Sequence, residues 1–424
     1  MKRTFLFFIL LSITIVALKA QSITLDYCQE KAAAHYPAIA RFDIIEKSKR
    51  FDLKNASMAY LPQLSIGAQA TWQSDVTKID LDLDIPIDLN IDFPDKDQYK
   101  AVAEVSQLIW DGGKTAAYRK SIKATAEAEK HQLESEIYSL RERVNNLYFG
   151  ILLMDEQLEL HTSHEQELER NYRNVESYID NGVANQADLS AVKVEQLKAG
   201  QQRIELESTR EAYLKMLSVL MGEQLADDVH LQKPAVDKTI IAHDIRRPEL
   251  QMFDAQNSAI ESQRQMLSAN NLPVVALFAQ GGYGRPALNM FKNEFTPYFI
   301  GGVKLSWNFG NLYTLSNDKK KIKLQQQNLE TQRESFLYNL HVTIPQQQME
   351  IEKYRKTMQD DDEIIRLRKI IREAAEAKVE NGTMTVSDLL KEVTAEEAAK
   401  QAKALHEIQF MMSIYNLKYT TNNK

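Results

Sequence analysis

The second half of the sequence repeats several motifs of the first half in the same order, and this internal repeat constrains the fold more than any other feature. Pro37 lies 25 residues before Pro62, and Pro248 lies 25 residues before Pro273. Three further pairs of stretches match in the same order: 105–113 with 302–310, Asn181-Gly182 with Asn381-Gly382, and Asp188-Leu189 with Asp388-Leu389. Each half therefore predicts the same succession of helix, strand, loop, strand, long helix, tight turn and helix.

The first 20 residues predict a secretory signal peptide. Lys2 and Arg3 form a basic start, residues 5–18 are almost all apolar, and Leu18-Lys19-Ala20 resembles a cleavage site. A single membrane anchor is the alternative, but the apolar run is short for a spanning helix. The whole chain has 52 basic and 59 acidic residues, and removal of the signal peptide takes away the basic residues Lys2, Arg3 and Lys19. This acidic balance argues against a nucleic-acid surface.

Domain boundaries follow from the repeat. We predict a first repeat over residues 21–222, a linker or equatorial segment over 223–247, and a second repeat over 248–424. The predicted strands are 64–74, 98–110, 274–284 and 297–308, and the predicted long helices are 114–180, 188–221, 315–380 and 388–415. A shorter helix opens each repeat.

The predicted strands have the length and alternation of strands that cross a bilayer. Leu64, Ile66 and Trp72 alternate with polar or small residues, which predicts one apolar and one wet face. About ten residues suffice for a tilted strand to cross a membrane. A pair of soluble hairpins is the alternative, because strand signals of this kind are weak. Four membrane strands cannot close by themselves, so the chain must form oligomers with eight, twelve or sixteen strands.

Heptad seams predict that the long helices pack against neighbours. Pro345 is expected to kink the second long helix. The first seam consists of Leu133, Ile137, Leu140, Val144, Leu147, Ile151, Met154 and Leu158, and the second of Ile364, Leu367, Ile371 and Ala374.

Together these motifs resemble the TolC family of outer-membrane efflux proteins, over essentially the whole mature chain. The motifs are Tyr36-Pro37, Leu61-Pro62, Leu272-Pro273, Trp110-Asp111-Gly112-Gly113 and the two glycine-to-aspartate turns. The resemblance implies a mainly α membrane protein whose homotrimer builds a long coiled-coil-like α-helical barrel and a 12-stranded β-barrel, four strands per chain. It implies an outer-membrane location that extends into the periplasm.

The resemblance also implies a function and partners. The chain is expected to be the exit duct of a tripartite efflux or type I secretion system, passively conducting substrates outward. Its expected partners are a periplasmic adaptor (membrane fusion) protein, an inner-membrane pump or ABC transporter reached indirectly, and outer-membrane lipid. A secreted structural coiled-coil protein with a soluble β-domain is the alternative.

In the TolC family the two helix-to-helix turns form the periplasmic tip, where adaptor docking and gating occur. The corresponding residues here are Asn181, Gly182, Val183, Asp188, Asn381, Gly382, Thr383 and Asp388. Capping alone also explains these residue types, since Asn-Gly ends helices and Asn185–Asp188 and Thr385–Asp388 have capping-box spacing. Lys391 replaces a second acid of some members, and Val379 and Met384 replace the tyrosine and arginine of a gate lock.

An acidic loop lies between the first two strands. Asp80, Asp82, Asp84, Asp88 and Asp92 alternate with mostly apolar residues, which predicts an extended hairpin with one acidic face at the outer mouth. Cation binding or selectivity is one interpretation, and a solvated loop is the other.

Motifs for catalysis or for cofactors are missing from the sequence. Gly112-Gly113-Lys114 lacks the earlier glycine of a P-loop, and the single cysteine, Cys28, excludes an internal disulfide. His161 and His164 are spaced for a shared metal but have no further ligand nearby in sequence, which favours a solvated pair. We therefore predict a protein that is not an enzyme and has no catalytic residue, cofactor or metal.

Overall fold

The structure is a computed structural model that describes residues 23–77, 93–235 and 244–423. Its elements, in chain order, are α1 (Leu25–His35), α2 (Ala40–Met58), β1 (Gln63–Trp72), β2 (Asp97–Trp110), α3 (Lys114–Tyr138), α4 (Leu140–Asp180), α5 (Gln186–Met221), α6 (Pro248–Ala269), β3 (Val274–Arg285), β4 (Thr296–Ser306), α7 (Leu312–Glu380) and α8 (Val386–Thr421).

The described residues form two compact units, and each unit draws on both sequence repeats. The helical unit contains residues up to Ile39, 136–247 and 338 onwards, and the sheet unit contains 40–135 and 248–337. The division between the units falls at the end of α3 and within α7. Helices α1, α4, α5 and α8 therefore lie in the helical unit, and α2, α6 and all four strands lie in the sheet unit.

The four strands make one antiparallel sheet in the order β1-β2-β3-β4. The central pairing joins β2 of the first repeat to β3 of the second, so both repeats contribute two strands to the one four-stranded sheet. Among the described residues, β1 and β4 each pair on one side only. Both outer strands therefore present an unpaired row of backbone N–H and C=O groups.

The strand register places the exposed apolar side chains on one face of the sheet. Ile66 lies opposite Ala103, Ala103 opposite Gly281, and Gly281 opposite Phe299. The exposed apolar residues on this face are Leu64, Ile66, Trp72, Tyr99, Val105, Leu277, Tyr283, Phe299, Val303 and Leu305. The opposite face carries polar and charged residues, among them Gln69, Lys100, Glu104, Gln280 and Lys304. This is the two-faced strand pattern that the alternation predicts.

In the helical unit, α1 packs against α4 and α5 through a continuous apolar core. Cys28 of α1, Tyr148 of α4 and Leu217 of α5 are fully buried in it. Burial raises the pKa of the Cys28 thiol to about 12, so this cysteine stays neutral. The Tyr148 hydroxyl lies 2.7 Å from the carbonyl oxygen of Ile23 and 2.6 Å from that of Gln232. These contacts hold the start of the described chain and the segment after α5 on the same core.

One helix prediction needs correction. The single helix predicted over residues 114–180 is divided into α3 and α4 at Ser139, whose hydroxyl donates to the Glu136 carbonyl at 2.7 Å. Serine competes in this way for helix carbonyls and weakens a helix interior. Pro345 lies inside α7, which continues on both sides of it. The kink expected at this proline stays a prediction.

The two heptad seams differ in their surroundings. From Leu140 to Ile151 the first seam is buried within the chain. The second seam is exposed, with Ile364, Leu367 and Ile371 each 45–46% accessible in the single chain. An exposed apolar stripe of this kind requires a neighbour outside the chain.

Replacing Leu217 by alanine should destabilise the helical unit by about 2–5 kcal/mol, because a fully buried leucine leaves a cavity when it is truncated. Thermal unfolding of the purified protein in detergent, followed by circular dichroism, measures this as a lowered midpoint.

The matched control is Lys215→Ala on the same helix, which removes an exposed side chain paired only with Glu211. Its effect should stay within about 0.5 kcal/mol. Equal midpoints for the two variants would contradict the core that we describe.

Candidate functional site: the helix-to-helix turns and the residues beneath them

The first turn joins α4 to α5 and stops α4 with a Schellman motif. The Val183 N–H donates to the Tyr178 carbonyl at 2.8 Å, and the Gly182 N–H donates to that of Ile179 at 3.0 Å. Gly182 has φ +75°, a left-handed conformation that glycine adopts without strain. The turn is thereby tightly defined by its own backbone.

The second turn joins α7 to α8 with the same geometry. The Thr383 N–H donates to the Lys378 carbonyl at 2.8 Å, the Gly382 N–H donates to that of Val379 at 2.9 Å, and Gly382 has φ +68°. In both turns the asparagine before the glycine donates from its side chain to the carbonyl four residues earlier. The sequence repeat is therefore also a structural repeat at these turns.

The return helices begin differently. At α5 the capping box is complete: the Asn185 side chain accepts from the Asp188 N–H, and the Asp188 carboxylate accepts from the Asn185 N–H at 3.0 Å. At α8 Thr385 accepts from the Asp388 N–H, but the Asp388 carboxylate instead accepts from the Thr385 hydroxyl at 2.7 Å and from Lys391 Nζ at 2.8 Å. Lys391 first, and the Thr385 hydroxyl second, hold the pKa of Asp388 below its usual range.

The two turns lie side by side over an apolar cluster. A Cβ atom added at Gly382 would lie 3.8 Å from a methyl group of Val183. We call the cluster beneath them the tip cluster; its buried members are Leu168, Val175, Val192, Ala199, Ala375, Val379, Val386, Leu389, Leu390 and Val393. Met384 packs against it partly buried. Val379 and Met384 thus act as packing residues between the helices.

A buried charged layer lies beside the tip cluster, and the sequence did not reveal it. Arg372 of α7, only 9% exposed, donates to Glu396 of α8 and to Glu376 of its own helix, each at 2.6 Å. Its Nε also lies 3.2 Å from Glu167 of α4. Lys400 pairs with Glu396 at 2.7 Å. Arg372 is thus paired with carboxylates on three helices.

Of the contacts of Arg372, sequence spacing indicates only the one with the residue nearest in sequence. The Arg372–Glu376 pair has helical i,i+4 spacing, which is itself common on solvated faces. Glu167 and Glu396 lie in different helices, so only the packed structure brings them to Arg372. Removing one partner of such a buried pair leaves an uncompensated charge.

The histidine pair of α4 is not solvated, which corrects our prediction. His161 is 1% exposed, and both its ring nitrogens lack a hydrogen-bond partner within the described residues. Its ring centroid lies 6.2 Å from that of His164. Burial, and then His161 and Lys400, lower the pKa of His164 to about 4. Across the described part of the chain, no three His, Cys, Asp or Glu side chains are grouped closely enough to hold a metal ion.

The lowered pKa of His164 predicts a stability that depends on pH. The unfolded chain binds a proton at this histidine near pH 6.5, whereas the folded chain does so only near pH 4. Stability from His164 is therefore complete above pH 6.5 and is lost as the pH falls toward 4. Between pH 7.5 and pH 5 we expect a loss of about 1–2 kcal/mol, measured by thermal unfolding. His164→Gln should remove that part of the loss.

Burial raises the pKa of Glu397 on α8, which makes a contribution of opposite sign to the pH dependence of stability. The contribution of His164 must therefore be measured by comparing variants. His341→Gln, at an exposed position of α7, is the matched control and should keep the pH dependence of the wild type. The same pH dependence in His164→Gln and in the wild type would contradict the assignment.

The predicted acidic loop, Asp80, Asp82, Asp84, Asp88 and Asp92, lies outside the described residues, as does the predicted signal peptide. The interpretation of that loop stays a prediction. Among the helices that the structure describes, none combines the length and the apolar character needed to cross a membrane.

Comparison with known proteins shows a family similarity in the first half of the chain. The model of the outer membrane efflux protein family matches residues 30–223, which span the first repeat up to the end of α5. No curated protein sequence matches the chain. Over the first repeat the chain is therefore similar to the outer membrane efflux protein family.

Solved structures of outer-membrane channels share the fold along almost the whole chain. VceC from Vibrio cholerae has a TM-score of 0.67 at 14% identity, covering 94% of this chain and 96% of VceC. The outer-membrane channel OprN has a TM-score of 0.70 at 15% identity, covering 94% and 90%. CmeC from Campylobacter jejuni has a TM-score of 0.63 at 17% identity, covering 94% and 85%. At these identities the likeness concerns the fold.

Proposed function

We propose that three copies of this chain form an outer-membrane exit duct, which passes substrates from a periplasmic adaptor and pump to the outside. The observation that carries the proposal is the open-edged sheet with one exposed apolar face. In this assembly three four-stranded sheets close into one twelve-stranded barrel with its apolar face toward lipid. Conduction is passive, and the energy comes from the pump.

The edges of the sheet support assembly. In hydrocarbon each unpaired backbone group costs several kcal/mol, because no water is present to replace the missing hydrogen bond. Pairing β4 of one copy with β1 of the next satisfies both rows. The polar residues Lys100, Glu104 and Lys304 then face the interior of the duct.

The helices support the same assembly. The exposed second seam of α7 has a counterpart on α5, where Val194, Leu197 and Ile204 are exposed and apolar. Leu197 and Ile204 are seven residues apart, as in a heptad. We infer that α7 of one copy packs against α5 of a neighbour, which buries both stripes.

Ile371→Glu should abolish or strongly weaken the trimer, because three carboxylates then enter an apolar helix interface. Migration of unheated protein on SDS gels, supported by analytical ultracentrifugation in detergent, measures the oligomer. Gln359→Glu, which adds the same charge at another exposed position of α7, is the control and should leave the trimer intact. A stable Ile371→Glu trimer would exclude this helix pairing.

The two turns are the proposed adaptor-docking and gating site. Val183 and Thr383 are exposed, and Val183 lies beside Gly382 of the other turn. The Schellman bonds keep both backbones rigid. A rigid, exposed tip loses little conformational entropy when a partner binds. The site consists of Asn181, Gly182, Val183, Asp188, Asn381, Gly382, Thr383 and Asp388.

The capping contacts bear on how such a gate would work. Asp188 is committed to the capping box of α5, and Asp388 is paired with Lys391. Three copies then present three neutral Asp388–Lys391 pairs in place of a strongly acidic ring. A gate that traps cations by charge alone is therefore not part of the proposal.

Val183→Arg combined with Thr383→Arg should abolish export while the trimer persists, because two bulky cations per copy cover the docking surface. Dye efflux from cells that express the native adaptor and pump measures the loss, and crosslinking to the adaptor shows its cause. Gln202→Arg, exposed on α5 away from the turns, is the control and should keep export. Normal export by the double variant would remove the turns from the docking site.

A further inference from the structure

We propose that a groove of the helical unit binds a basic segment of a partner protein, one that also carries an aliphatic anchor residue. The groove lies between α4, α5 and the segment Asp227–Lys233, and its volume is about 780 Å³. This surface is separate from the turns of the proposed function. Glu159, near the groove, precedes Asn181 by 22 residues, or about 33 Å along a helix.

The floor of the groove is apolar. Leu152, Leu214 and Leu231 line it and belong to the buried core, and the partly buried Leu158 extends it toward the surface. An apolar floor favours an aliphatic side chain over water. This part of the groove provides the site for the anchor residue.

The rim of the groove is strongly acidic. Seven carboxylates line it, against one arginine, one lysine and His230. Both cations are already engaged: Arg210 pairs with Asp155 and donates to the main-chain oxygens of Asp227 and Val229, and Lys233 pairs with Glu156 at 2.7 Å. They hold the segment in place. Outside the groove, Lys215 pairs with Glu211 and Arg203 lies 3.9 Å from Glu207.

Three rim carboxylates are available to an incoming cation. Among the described residues, no basic side chain lies within 4 Å of the carboxylates of Glu159 or Asp228, and Glu207 has only Arg203 at 3.9 Å. These three groups come from α4, from the segment after α5 and from α5, so they line different walls. Positive charge on the ligand is the complement of this arrangement.

The pattern favours a peptide over a metal ion. No three carboxylates or other ligands in the described residues are close enough for metal coordination. Instead, carboxylates recur one helical turn apart, at Asp155 and Glu159 on α4 and at Glu207 and Glu211 on α5. Neighbours at this spacing are about 5–6 Å apart, which suits successive basic side chains of one polypeptide.

The test uses the full-length protein in detergent and a fluorescent ten-residue peptide that alternates leucine and lysine. Fluorescence anisotropy at low salt gives its Kd. Glu159→Gln/Glu207→Gln/Asp228→Asn should weaken binding about tenfold, since each lost surface ion pair contributes a factor of a few. Leu158→Asn should weaken it as well, by removing part of the apolar floor.

The matched control changes three exposed glutamates of α4 and α5 outside the groove, Glu142→Gln/Glu176→Gln/Glu205→Gln, and should keep the wild-type Kd. Unchanged melting and an intact trimer show that each variant is folded. The proposal is overturned by equal Kd values for the two triple variants, by equal binding of a leucine–glutamate peptide, or by displacement of the peptide by millimolar Ca²⁺. None of these results bears on the proposed docking of the adaptor at the turns, which is tested separately by crosslinking.

Discussion

The unpaired backbone groups along β1 and β4 set the condition that the rest of the structure must meet. In hydrocarbon such groups need partners, and the described residues of a single copy provide none on these two edges. Two further features also call for contacts beyond a single copy: the apolar face of the same sheet, and the exposed apolar stripes of α5 and α7. Leaving such apolar surfaces in contact with water is unfavourable. The closed trimer that we propose satisfies all three requirements at once.

At the turns, rigidity comes from local hydrogen bonds, whereas the packing beneath comes from distant parts of the chain. Gly182 and Gly382 end their helices through bonds to residues only three to five positions away. Val379 and Met384 contribute to an apolar cluster shared by α4, α5, α7 and α8. Seven residues before Val379 on α7, Arg372 adds buried ion pairs to α4 and α8. The tip is therefore held by two different kinds of interaction, one short-range and one long-range.

How much of this site the sequence predicts depends on how far apart along the chain the interacting residues lie. The Schellman turns and the Asn185–Asp188 box follow from neighbouring residues, so they could be predicted. Asp388 has the same spacing but makes half of the box, because Lys391 one turn later competes for its carboxylate. Histidine is a polar residue type that we expected to be solvated at position 161, and only the packing of α4 in the helical unit buries it. The partners of Arg372 lie on other helices, where spacing gives no signal.

The sequence by itself determined the repeat, the period-two strands, the heptad seams and the turns, because each is written in residues a few positions apart. It also predicted, through the need to close the sheet, that the chain acts as an oligomer. The tertiary structure decided that β2 pairs with β3 across the repeats and which seam is buried. It alone formed the Arg372 layer and the acidic groove. These features depend on which distant surfaces meet, and that is determined by the free energy of packing the whole chain.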